Sequence, residues 1–180
     1  MTTTLQKLAQ INIFGAPFLF AYGFTWIICG ILWLKVKSAY AAIATLFQGM
    51  VALPVALFIL YSIGAFEFRP EVGEVNQLSL LMSMSQLLIL PLLVAMYRKK
   101  HYTLIPFVFS GAGAVHFLLY AWLYQTPVYI LMPIIIAFAI AIVYGTDKGD
   151  KFISESAAAK ACIYTGLILI LTGTYFVFSL

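Results

Sequence analysis

"YTLIPFVFSGAGAVHFLLYAWLYQTPVYILMPIIIAFAIAIVY", residues 102–144, carries no Asp, Glu, Lys or Arg over 43 positions. As one helix it would extend about 65 Å, about twice the thickness of a bilayer's hydrocarbon core. It therefore predicts two membrane-crossing helices with a break inside. The break falls at "YQTP", 124–127, because a proline disfavours helical geometry at the residue before it. Outward from there, charges interrupt the apolar runs at Lys35/Lys37, Glu67 to Glu74, Arg98 to His101 and Asp147 to Glu155. The expected spans are 13–34, 39–65, 77–97, 103–124, 127–144 and 158–179. The predicted fold class is all-α: a polytopic membrane protein in which residues 1–180 form a single bundle of six transmembrane helices. Composition agrees, with 64% hydrophobic and 9% charged residues, against about 25% charged in soluble domains.

The basic residues test that count. Lys35, Lys37, Arg98, Lys99, Lys100, Lys148, Lys151 and Lys160 fall on one side of a six-span layout, and Lys7 and Arg69 on the other. That bias predicts a cytoplasmic basic side and, with an even number of spans, both termini outside. The net charge of +4 follows from this topology and gives no reason to expect nucleic acid. Arg98-Lys99-Lys100 is read as a topology signal, being smaller than a lipid-recognition cluster. The N-terminal "MTTTLQKLAQ" lacks the basic region and cleavage site of a removable signal, so the first apolar segment is expected to stay as an anchor. The acids Glu67, Glu71 and Glu74 lie before the third span, where they suit a helix N-terminus that Asn76 can cap. Cys29 and Cys162 lie in separate apolar segments without metal-ligand spacing and read as buried packing residues.

No Asp, Glu, Lys or Arg occupies the centre of any span. Proton pumps, ion-coupled transporters and intramembrane hydrolases generally need ionisable groups at depth, so an intramembrane enzyme is disfavoured. No catalytic residue, metal or cofactor is assigned, since His116 has neither a buried carboxylate to orient it nor further ligands to share a metal.

What remains are neutral polar stripes at helical spacing: Tyr22, Trp26, Cys29 and Trp33; Ala41, Thr45 and Gly49 beside Gln48; Asn76, Ser79, Ser83 and Gln86; Gly113, His116, Tyr120 and Tyr124. Such faces turn inward, because hydrocarbon offers an amide or imidazole no partner. One reading is interhelical glue, at about 0.6 kcal/mol per hydrogen bond. The other is a pocket between the third and fourth spans, open to the outer leaflet, for a small neutral molecule or a lipid. Its candidate residues are His116, Gln86, Tyr120, Tyr124, Ser83 and Gln48. His116 lies about 12 Å below the outer end of its helix by helical rise. Trp122, Tyr124 and Tyr129 are expected in the outer interfacial belt. Pro54, Pro91 and Pro133 are candidate kinks, while Pro106 falls harmlessly in a first turn.

"NQLSLLMSMSQLLILPLL" (76–93), followed after a basic loop by "GAVHFLLYAWLYQTPVYILMPI" (113–134), resembles a family of small bacterial integral membrane proteins classified only as a domain of unknown function. The likeness covers about residues 74–140 and rests on Gln86, Pro91, His116, Tyr120, Trp122, Leu123 and Tyr124; "YGFTWIICGILWL" in the first span is a looser match. The resemblance implies a fold and a location in the bacterial inner membrane, but no mechanism. Expected partners are membrane lipids and a small-molecule or lipid ligand, with homo-oligomer formation left open. The alternative is a structural or regulatory membrane subunit without a ligand.

Overall fold

The computed structural model describes residues 2–67, 73–149 and 153–179. Arg69 and Glu71 of the expected acidic loop, and Lys151, lie outside these residues, as do the side chains of Glu74, Asn76, Ser79 and Ser83. The protein is all-helical, and six helices are long and apolar enough to cross a membrane: Ile13–Lys35, Ser38–Ser62, Leu80–Arg98, Tyr102–Leu123, Val128–Gly145 and Glu155–Phe178. Their outward faces carry large apolar side chains at high exposure, such as Phe58 at 70% and Leu88 at 81%. Water would penalise that surface by about 25 cal/mol per Å², whereas lipid tails do not.

In chain order the helices are α1 (Thr2–Ile11), α2 (Ala16–Lys35), α3 (Ser38–Phe47), α4 (Gly49–Ser62), α5 (Gly73–Ser85), α6 (Leu90–Arg98), α7 (Ile105–Leu123), α8 (Val128–Gly145) and α9 (Glu155–Phe178). The first helix was not anticipated. Leu5, Leu8 and Ala9 sit at helical spacing on one side of it and are buried in the core. A tight left-handed turn joins α1 to α2, with positive φ at Ile13, Phe14 and Gly15. The Tyr129 hydroxyl holds it by donating to the Phe14 carbonyl at 2.6 Å. Gly15 has no room for a side chain, since a Cβ there would lie 3.0 Å from Tyr124 Cε2 and from Tyr129 Oη.

Two spans are irregular near the membrane midplane. The second has a local irregularity at Gln48, between α3 and α4, where the backbone stays right-handed helical, and the third narrows to a 3-10 turn at Gln86–Ile89 between α5 and α6. Pro54 and Pro91 follow these points, and each lacks the N–H that would continue the ladder. By helical rise Gln48 lies about 15 Å from Ser38 and Gln86 about 18 Å from Arg98, so both amides sit near the bilayer centre. Pro133 lies inside a continuous α8, as Pro54 does inside α4.

α2 and α9 pack antiparallel along a seam of small residues. Gly23 faces Gly166, Gly30 faces Ala159, and Gly173 faces Leu19 and Phe20. The sevenfold spacing of Gly23 and Gly30, and of Ala159, Gly166 and Gly173, keeps small residues on the seam as the helices wind about each other. This pairing joins the first span to the last and closes the bundle. Cys29 and Cys162 are buried free thiols, as their apolar surroundings in the sequence implied.

At the basic edge, Asp147 clips the loop that precedes α9. Its carboxylate accepts the Ser154 amide and hydroxyl, each at 2.7 Å, while the Ser154 oxygen accepts the Ala157 amide at 3.1 Å and caps the helix. Those donors from Ser154 hold the Asp147 carboxyl below the usual carboxylate range. A depressed native pKa gives a contribution that is full above the unfolded value, about 3.9, and vanishes as pH falls through the native one. Asp147→Asn is therefore expected to flatten the acid limb of the stability profile below about pH 4. Thermal midpoints measured across that range check it, and an unchanged acid limb refutes the clip.

Candidate functional site

The site is built where α5 meets α7. Gly113 gives α7 a bare patch, and the Gln86 amide lies over it: a Cβ on Gly113 would sit 3.6 Å from Gln86 Nε2. One turn further along α7, His116 is buried, with its Nδ1 3.2 Å from Ser85 Oγ. Ser85 spends its single proton on the Met82 carbonyl at 2.6 Å. With that proton on Met82, the Ser85 oxygen is free to accept from a protonated Nδ1 of His116. The histidine is thus an oriented hydrogen-bonding group.

Outside that pair, a groove of ≈ 400 Å³ runs between α5 and α7, with apolar walls from Leu78, Leu81, Leu118, Leu119 and Trp122 and with Ser85 as its polar residue. It lies in the half of the membrane away from the basic edge. The third span holds its place loosely, for among its described residues from Leu80 to Arg98 only Met82 and Leu93 are buried.

His116, Tyr120 and Tyr124 come together, as their spacing predicted. The Tyr120 ring meets His116 edge-on at 5.1 Å and stacks on Tyr124 at 5.7 Å. The interfacial placement of Tyr124 and Tyr129 is corrected: both are buried, at 6% and 2% exposure, and Tyr129 stacks on Phe176. The reason is the left-handed turn after α1, whose Gly15 lies against both rings and whose Phe14 carbonyl gives the Tyr129 hydroxyl an acceptor. Trp122 remains outward-facing at 47% exposure. Gln48 belongs to a different part of the core, beside Gly49, whose backbone faces Tyr22 of α2. It is buried, and neither its Nε2 nor its Oε1 has a partner among the described residues. The Ser83 side chain lies outside the described residues.

Sequence reasoning missed Ser85. It also missed Ser110 and Thr165, whose hydroxyls share a 2.6 Å hydrogen bond between α7 and α9. Thr45, already noted, accepts from Trp33 Nε1 at 3.0 Å and passes its own proton to the Ala41 carbonyl. The Ser110–Thr165 and Trp33–Thr45 bonds join neighbouring helices, while the Thr45–Ala41 bond lies within α3.

Six apolar helices with neutral hydrogen-bonding groups between them define a polytopic membrane protein. More particularly, the chain belongs to a family of unknown function, DUF7010, whose model matches residues 3–174. No significant match to a curated protein or to a solved structure was found.

Proposed function

We propose that the protein binds or passes a small neutral amphiphile, a lipid with a hydrogen-bonding head, at the groove between α5 and α7. The observation that carries this reading is Ser85, the polar residue lining an otherwise apolar cleft, which lies within hydrogen-bond distance of the buried His116. Apolar walls facing lipid select an acyl chain, and a hydroxyl–imidazole pair selects an uncharged head over an ion. The loose packing and central break of the third span suit passage as well as binding, because that helix can shift at small cost in buried contacts. We place the protein in a bacterial inner membrane with the basic edge cytoplasmic and both termini outside, following the distribution of Lys and Arg.

The rival reading, a structural subunit whose polar residues only pack helices, is favoured by the Trp33–Thr45 and Ser110–Thr165 bonds elsewhere in the core. A diacylglycerol carrying a photoreactive acyl chain separates the two. Wild-type protein is expected to crosslink through Leu78–Ser85 and Leu118–Trp122. Ser85→Ala with His116→Phe should reduce that labelling about tenfold, the value of one good hydrogen bond, while the thermal midpoint holds. Absence of labelling in the wild type, or equal labelling in the variant, would leave the stripe a packing feature.

A further inference from the structure

A second cleft, of ≈ 390 Å³, opens at the basic edge where the end of α8 meets the start of α9. Lys148, Lys160, Thr146 and Asp147 line its mouth, and Ile142, Val143 and Tyr164 its wall toward the membrane. Lys160 and Tyr164 are one turn apart on α9, so the ammonium and the ring share a face. Among the described residues Asp147 is the one carboxylate in the lining, and both of its oxygens accept hydrogen bonds from Ser154. Two lysines against one carboxylate give the described lining a net charge of +1. Its volume is at the small end of the range for ligand sites, about 300–1,000 Å³, which suits a headgroup. Ile142 and Tyr164 are exposed on the lipid-facing sides of their spans, so the cleft continues into the apolar surface.

We infer that this cleft seats an anionic phospholipid, with its phosphodiester between Lys148 and Lys160 and an acyl chain along Ile142 and Tyr164. A monoanionic phosphodiester balances the cleft's charge. The apolar wall distinguishes a lipid from a free anion, which gains nothing from Ile142 or Tyr164. The site is separate from the α5–α7 groove and does not depend on the function assigned there.

The test is native mass spectrometry of detergent-purified protein titrated with phosphatidylglycerol or phosphatidylcholine of identical acyl chains. Each lysine near an anionic headgroup is worth about fivefold. Lys148→Gln with Lys160→Gln should thus weaken phosphatidylglycerol retention about 25-fold and leave phosphatidylcholine unchanged. Arg98→Gln with Lys99→Gln, basic residues outside the cleft, should change neither lipid. Should the double variant not fold, Lys148→Gln alone, in an exposed loop, should still lose about fivefold. Unaltered phosphatidylglycerol binding in either variant, parallel loss of both lipids, or displacement of the lipid by millimolar inorganic phosphate would each overturn the assignment.

Discussion

Gly166→Val is expected to prevent the bundle from forming. A Cβ at Gly166 would stand 2.6 Å from the Gly23 carbonyl oxygen and 3.0 Å from the Ile27 amide nitrogen. Both are backbone atoms of α2, so no rotamer change relieves the clash, and α2 and α9 must separate along their whole seam. Overpacking typically costs about 1–3 kcal/mol; a β-branched side chain wedged between two backbones should exceed that range and leave little folded protein in detergent. Gly145→Ala is the control, because a Cβ at Gly145 meets nothing within 4 Å, and replacing helical glycine there should be neutral or stabilising by up to about 1 kcal/mol. Size-exclusion profiles and thermal midpoints of the two variants check the pair, and a folded Gly166→Val protein would refute the proposed seam.

Gln48→Met is expected to act in the opposite direction. The Gln48 amide is 4% exposed, near the centre of the membrane, with neither polar atom partnered among the described residues. An unsatisfied buried polar group costs about 1–3 kcal/mol, and an unbranched apolar side chain of similar length removes that cost without opening a cavity. Unfolding of the variant in mixed micelles should therefore need more denaturant than the wild type. A less stable variant would mean that water or a bound molecule satisfies the amide, and would mark Gln48 as part of a site.

The spans were legible because charges punctuate them and because Pro127 ends α7 before α8, with Gln125 taking a positive φ at the break. Tyr22, Trp26, Cys29 and Trp33 of α2 turned inward as their spacing required, with the last three fully buried. The third span was harder. A stripe extrapolated at 100° per residue through Asn76, Ser79, Ser83 and Gln86 does not include Ser85, yet Ser85 is the residue that bonds His116. Gln86 approaches Gly113 while its neighbour Ser85 bonds His116, so the face that α7 meets is wider than a single 100° stripe. The Gly23–Gly30 and Ala159–Gly166–Gly173 spacing was visible in the chain, but its meaning depends on two segments more than a hundred residues apart meeting face to face.

By itself the sequence determined that this is a six-span helical membrane protein without Asp, Glu, Lys or Arg at the centre of its spans, because long apolar helices satisfy their own backbone in hydrocarbon, which penalises any lone charge. The tertiary structure decided which faces meet: the glycine seam of α2 and α9, the burial of Tyr124 and Tyr129 beneath the Phe14–Gly15 turn, and the Ser85–His116 pair beside the groove. Lipid tails are as apolar as a leucine core, so hydropathy cannot distinguish a lipid-facing residue from a packed one. Only the rotation and depth of each helix against its neighbours do so, and those are set by contacts between segments remote in the chain.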